Sequence, residues 1–321
     1  MKAIRIESYG GPEVMRLRDL PLPEPGRGEV RLRLRAAGLN YVEIYQRRGE
    51  YPTPLPYVPG REAAGIVEAV GEDVSGFKPG DRVAYCGHFG SYAEANVVPA
   101  ADLIPFPVDL SFEQGAAFTL QGMTAHYLIH EYRRLKPGDV VLIHAAAGGM
   151  GLLLVQWARH LGARVIGTVS TDVKARAVRE AGADEVILYT ERDFISETKR
   201  VTEGHGADLI IDGVGKNTFA GNLEAVADHG HIISYGMASG PPAPISPSSL
   251  GLRALSVAGG HLGAFLRTRE ELLKRANDVL QGIREGWLRL RIDEVFPLEK
   301  APDAHRKLES RGSIGKIILN L

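Results

Sequence analysis

Residues 140–158 read Val-Val-Leu-Ile-His-Ala-Ala-Ala-Gly-Gly-Met-Gly-Leu-Leu-Leu-Val-Gln-Trp-Ala. A strand-like apolar run passes through a glycine turn into a helix-like segment. This restricts the fold more than any other stretch, because a helix that opens on glycines exposes its first N–H groups with no Cβ over them. Such an opening suits the pyrophosphate of a dinucleotide. The spacing G-x-G-x-x-G is met as Ala146-x-Gly148-Gly149-Met150-Gly151, with alanine in place of the first glycine. Alanine is still small enough for a tight turn. A glycine trio alone is a weak signal and often only a turn. Its context decides for a nucleotide site, since it follows a strand, opens a helix and starts a series of similar units.

Those units run to about residue 260. Apolar runs at 140–144, 164–169, 185–189, 208–212, 231–236 and 255–258 alternate with segments of helical period. Strands covered on both faces read as continuous apolar runs, so a doubly wound parallel α/β sheet is expected. Before residue 120 the pattern differs. Short alternating strands at 3–6, 15–20, 30–35, 65–70, 81–85 and 93–98 are separated by turn pairs such as Pro25-Gly26, Pro59-Gly60 and Pro79-Gly80, which predicts an all-β module. A helix is expected over 112–134. After it and the parallel sheet come a long amphipathic helix near 268–286, a strand near 291–296, a short helix and a last strand at 316–319. These last pieces would rejoin the β module. The expected domains are 1–122 with 261–321, and 123–260.

The balance of 38 basic and 39 acidic residues, net −1, argues against nucleic acid or an anionic membrane as the main partner. The densest basic stripe, Arg31, Arg33 and Arg35, alternates with Val30, Leu32 and Leu34, as the solvent face of a strand does. No stretch approaches the roughly 18 apolar residues of a membrane span, and the first residues lack the apolar region of a signal peptide. The single cysteine, Cys86, excludes an intrachain disulfide, and a cytoplasmic location is expected.

The second apolar run should end near the adenosine ribose. A site for NAD usually places Asp or Glu about 20 residues past the glycines. Ser170 stands there, followed by Thr171, Asp172, Val173 and Lys174. Hydroxyls with a lysine one turn on suit a 2′-phosphate, so NADPH is expected over NADH. One of Ser170, Thr171 and Asp172 should also cap the next helix. The turns Asp212-Gly213-Val214-Gly215 and Tyr235-Gly236-Met237-Ala238-Ser239-Gly240 follow the fourth and fifth runs and belong to the same carboxyl edge.

The chain resembles quinone oxidoreductases of the zeta-crystallin type, in the medium-chain dehydrogenase/reductase superfamily. The resemblance is carried by residues 36–41, 59–65, 120–125, 145–151 and 309–311, and it covers nearly the whole length. It implies a GroES-like β-rich catalytic domain, a Rossmann domain, and a homodimer formed by edge pairing of the nucleotide-domain sheets. It implies that Lys174, Tyr189 and Arg311 surround the 2′-phosphate and that Asn40, Tyr45 and Tyr51 line the active site. Gln121 and Thr124 would lie near the nicotinamide, on the segment joining the domains. Without the resemblance, Tyr189 reads as an aromatic plug ending a strand, and Tyr45 and Tyr51 as packing under Pro52, Pro54 and Pro56.

Zinc members of the superfamily use a Cys and a His as metal ligands where this chain has Asn40 and Arg61. Glu62 is a lone carboxylate, and Cys86 with His88, or His126 with His130, lacks a third ligand. No metal is expected. His144, at the end of its strand, reads as a local hydrogen-bonding group. The expected chemistry is hydride transfer from NADPH to an acceptor that is electrophilic without a Lewis acid, such as a quinone. The alternatives are reduction of an activated C=C bond (enone, alkenal or enoyl thioester) and, in another class, an NADPH-binding structural or RNA-binding protein with little catalysis.

Overall fold

The computed structural model describes all 321 residues. They form two units, the first from residues 1–122, 266–280 and 290–321, the second from 123–265 and 281–289. In chain order the elements are β1 (Lys2–Ile6), β2 (Met15–Asp19), β3 (Glu29–Gly38), α1 (Tyr41–Arg48), β4 (Glu62–Val70), β5 (Arg82–Cys86), β6 (Ala95–Pro99), β7 (Ile104–Pro105) and α2 (Phe112–His130). The series continues with β8 (Val140–Ile143), α3 (Gly149–His160), β9 (Arg164–Val169), α4 (Asp172–Glu180), β10 (Glu185–Leu188), α5 (Phe194–Val201), β11 (Ala207–Asp212), α6 (Phe219–Ala225), β12 (Val226–Ser234), α7 (Ser248–Gly251) and β13 (Ser256–Gly259). It closes with α8 (Arg269–Glu285), β14 (Ile292–Pro297), α9 (Ala301–Glu309) and β15 (Lys316–Asn320).

In the first unit β14, β15, β3, β4, β5 and β7 lie in that order, and β6 also pairs with β3. The last strand runs antiparallel to β3, with Ile318 opposite Gly38 and Leu319 opposite Ala37. The strand alternation is as read. Val30, Leu32 and Leu34 enter the core with Ile4, Val67, Val83, Ile317 and Leu319. On the other face Arg33 and Arg35 are exposed, and Arg31 binds Glu24 and Glu68. The expectation of an all-β module fails at α1. Its one apolar stripe is short, Tyr41, Ile44 and Tyr45, and Glu43, Gln46 and Arg47 are buried as well, so hydrophobic periodicity marks it weakly.

The second unit is a six-stranded sheet in the order β10-β9-β8-β11-β12-β13, and every neighbouring pair is parallel. The order reverses between β8 and β11, the switch point at which open α/β sheets place their ligands. Val140, Leu142, Ile166, Ile210 and Ile232 share its core. β12 starts at Val226, earlier than the apolar run at 231 indicates, because polar Asp228-His229 and Gly230 interrupt its pattern.

Candidate active site

α1 gathers three of the residues marked by the sequence. Asn40 is its N-cap, Tyr45 lies within it, and Tyr51 follows the C-cap Gly49, which turns the chain at φ 78°. The backbone N–H groups of Glu50 and Tyr51 both donate to the Tyr45 carbonyl, at 2.9 and 3.2 Å. This fold-back sets the Tyr45 and Tyr51 rings 5.2 Å apart. Tyr45 is buried, and Tyr51 is 40% exposed beside it. At the other end, the Asn40 N–H donates to Glu43 Oε2 at 2.7 Å, which is the backward half of a capping box.

The Asn40 side chain turns toward a buried polar centre. Its Nδ2 donates to Glu62 Oε1 at 2.9 Å, while its Oδ1 accepts from Gln121 Nε2 at 3.2 Å and from Lys316 Nζ at 2.8 Å. Lys316 Nζ also donates to Glu62 Oε1. The other Glu62 oxygen accepts from Thr119 Oγ1 at 2.9 Å and from the Leu120 N–H at 2.8 Å. Glu62 is wholly buried and Lys316 nearly so. Four donors thus converge on the Glu62 carboxylate, one of them the Lys316 ammonium. Gly38 makes room for this arrangement, since a Cβ there would run into Glu62 Oε1 and the Ala116 carbonyl. Sequence reasoning missed Lys316, Glu43 and Thr119. The capping pattern Asn40-x-x-Glu43 with Gly49 beyond was a signal for the helix, whereas Lys316 and Glu62 meet only through the pairing of distant strands.

In the second unit the glycine turn sits at the end of β8. Gly148 is the N-cap of α3 and makes no side-chain cap bond, so the first N–H groups of the helix are left to another acceptor. Gly151 is required by packing, since a Cβ would lie 2.5 Å from Ala146 Cα and from the Ala145 carbonyl oxygen. The left-handed residue is Ala145, φ 50°, rather than Ala146 at the first fingerprint position. Ala146 instead packs toward Gly167 of β9, where a Cβ would stand 2.9 Å from its own.

Beyond β9, Thr171 caps α4 by accepting from the Lys174 N–H at 3.4 Å, which settles which of the three candidates is the cap. Lys174 Nζ reaches Ser170 Oγ at 3.4 Å, and Thr190 Oγ1 donates to the Ser170 carbonyl at 3.2 Å. The Tyr189 N–H bonds to the Val169 carbonyl, and its ring is 45% exposed, which rules out a core plug. Ser170, Lys174 and Tyr189 thus converge at the ends of β9 and β10. The two turns on the carboxyl edge brace each other. The N–H groups of Ala238 and Ser239 bond to the carbonyls of Gly213 and Val214, and a Cβ on Gly236 would lie 2.8 Å from the Gly213 carbonyl oxygen. The Val214 N–H is taken by Asp212 Oδ1 at 2.7 Å. Met237 closes the second turn by accepting from Gly240. Thr124 is buried in α2, and Arg311 follows α9 at φ 57°, beside Tyr41.

His144 does more than satisfy a local group. It bonds Thr168 Oγ1 at 3.0 Å and Asn222 Oδ1 at 2.7 Å, and Asn222 in turn donates to Asp212 Oδ2. Burial pulls its pKa down, against Asp212, which raises it. The His126 and His130 rings lie 4.7 Å apart, and both stand edge-on to Trp157. His88 pairs with Asp102 at 2.8 Å, and burial pushes the Cys86 thiol far up.

Residues 26–108 match the family model of the alcohol dehydrogenase GroES-like domain, and residues 149–278 that of zinc-binding dehydrogenases. A quinone oxidoreductase of Pseudomonas aeruginosa is 42% identical over 99% of both chains. A 2-haloacrylate reductase of a Burkholderia species is 40% identical over 98% of this chain and 97% of its own. The crystal structure of Escherichia coli quinone oxidoreductase complexed with NADPH superimposes with a TM-score of 0.97 at 36% identity, covering both chains completely. The fold and its two domain types define a medium-chain dehydrogenase/reductase. Within that superfamily the chain belongs to the quinone oxidoreductases of the zinc-free type.

The donor set does not fit the zinc ion that one domain name implies. Arg61 is a cation, stacked over Phe89 and donating to the Gly87 carbonyl. The Asn40 oxygen and the Glu62 carboxylate already hold an ammonium. No group of three His, Cys, Asp or Glu side chains is placed to bind a metal. No helix is long and apolar enough to cross a membrane.

Proposed function

We propose that this protein is a zinc-independent oxidoreductase that reduces a quinone with NADPH. The observation that carries the reading is the buried centre at Asn40, where a lysine ammonium rather than a metal neutralises the carboxylate. With no Lewis acid to polarise a ketone, the acceptor must be electrophilic by itself. The second unit suits the cofactor. The uncapped start of α3 at Gly148, Gly149, Met150 and Gly151 fits a pyrophosphate. Ser170, Lys174 and Tyr189 offer hydroxyls and a cation to a 2′-phosphate, with no carboxylate at position 170 to repel it. When bound, NADPH supplies the hydride.

This chain's residues then have to hold the acceptor and stabilise the charge that develops on its oxygen. Asn40 Nδ2 and the hydroxyl of Tyr45 or Tyr51 are the donors assigned to that task. The proton comes from tyrosine or water. A second reading, reduction of an activated C=C bond, is favoured by the 2-haloacrylate reductase among the relatives. The protein is further proposed to be a cytoplasmic homodimer.

Single-turnover oxidation of NADPH against ortho- and para-quinones, enones, ketones and aldehydes tests the function. Quinones should react, while ordinary ketones and aldehydes stay inert. Tyr45→Phe and Tyr51→Phe keep the rings, and the one that donates to the oxyanion should lose about 10²–10³ in rate with NADPH affinity unchanged. Full activity in both variants would remove the tyrosine assignment. Absent quinone turnover beside brisk enone reduction would select the second reading.

A further inference from the structure

The Asn40 amide has two nearly isosteric ends, and only the nitrogen end can donate to an acceptor oxygen. Its surroundings fix which end is which. A lysine ammonium has three donors and no lone pair, so the amide atom 2.8 Å from Lys316 Nζ must be the oxygen. Glu62 Oε1 already accepts from the Lys316 ammonium and so acts as an acceptor, and the atom 2.9 Å from it must be the nitrogen. Both constraints act in the same sense. Turning the amide over would set its oxygen against a carboxylate and its N–H groups against an ammonium, in a centre where all three side chains are at most 5% exposed. Low dielectric makes such contacts costly. Glu62 in turn is tied down by Thr119 and the Leu120 N–H, so the lock has a rigid base. One Asn40 Nδ2 hydrogen is spent on Glu62, and the geometry leaves the second to donate.

We propose that Lys316 and Glu62 are positioning residues that lock the Asn40 amide with its N–H presented to the acceptor oxygen. The inference rests on the reading above that Asn40 donates to the acceptor. It assigns the ion pair a role distinct from charge on the substrate, since both partners act through Asn40.

The test is a cycle of Asn40→Ala against the double variant Glu62→Gln with Lys316→Met. The double variant removes both charges together and keeps an unbranched stem at 316, which avoids an unpaired buried charge. Thermal unfolding and NADPH titration establish that each variant is folded. In the native background the double variant should lower the single-turnover quinone rate about threefold to tenfold, the worth of one neutral hydrogen bond, with NADPH affinity unchanged. In the Asn40→Ala background it should have no further effect. Lys316→Arg retains a donor-only cation and should restore most of the rate. Equal losses in both backgrounds, or none in the native one, would overturn the lock while leaving Asn40 as a donor. An Asn40→Ala variant at full rate would instead overturn the reading on which the lock rests. Should the double variant not fold, the native protein supplies the readout by NMR. One Asn40 side-chain proton, identified by its absence from Asn40→Asp, should lie well downfield from its bond to Glu62, and both protons at ordinary amide positions would overturn the proposal.

Discussion

Glu43 is the residue whose proton the buried centre controls. Burial pushes its carboxyl up to about 7, Lys316 pulls it back down and Glu62 pushes it further up. Tyr57 and Tyr92 also face it and carry no compensating charge. One Glu43 oxygen accepts from the Asn40 N–H, and the other is buried without a partner, as a protonated oxygen can be. An unfolded glutamate titrates near 4.5. Between that value and 7 the folded chain holds a proton that the unfolded chain has lost, so stability falls as pH rises through this window. The full swing is about 3 kcal/mol from the shift alone. Glu43→Gln cannot titrate. Urea unfolding from pH 4 to 8 should therefore show a flatter profile for the variant, closest to wild type near pH 4 and more stable by about 1–3 kcal/mol near pH 8. Parallel profiles would mean that Glu43 is ionised throughout.

Elements differed in how far the sequence revealed them, and the cause is where each gets its burial. The strands of the parallel sheet are buried on both faces, so β8, β9 and β11 announce themselves as apolar runs bounded by glycine and polar turns. The glycine turn and the Ser170–Lys174 cap were legible for the same reason, being local in sequence. α1 was not, because it buries Glu43, Gln46 and Arg47, with Glu43 bonded to the Asn40 N–H and Arg47 to Gly10, His305 and Glu309. Nor was the ion pair under Asn40, which exists only because β15 returns to lie beside β3. The ends of β9 and β10 carry the prediction at this scale. Lys174 sits one turn into α4, its Nζ beside Ser170, where a 2′-phosphate would form a charge-assisted bond. Lys174→Ala should weaken NADPH binding about 5- to 150-fold and leave NADH nearly unchanged. Titration with both cofactors measures it. Equal losses would show that the side chain supports the local fold rather than the phosphate.

At the scale of the molecule, the unpaired strand edges argue for self-association. An edge strand invites pairing unless charge, proline or brevity blunts it. β14 carries Asp293, Glu294 and Pro297 on its edge of the first sheet, and β7 at the other edge is two residues ending in Pro105. β2 holds Arg16, Arg18 and Asp19, and β10 opens on Glu185. β13 carries no charge or proline, since its residues are Ser256, Val257, Ala258 and Gly259, and β12 is its one strand partner. A second copy related by a two-fold axis would pair β13 with itself antiparallel and join the two six-stranded sheets. Ser256 is exposed on this strand, and its replacement by lysine would bring like charges together across the axis. Light scattering after size exclusion should give twice the chain mass for the wild type at micromolar concentration. Ser256→Lys should raise the dimer dissociation constant about 10-fold or more, as a 1.4 kcal/mol penalty does, while leaving NADPH binding intact. A wild-type monomer would refute self-pairing of this edge, and a dimer indifferent to Ser256→Lys would move the interface to another face.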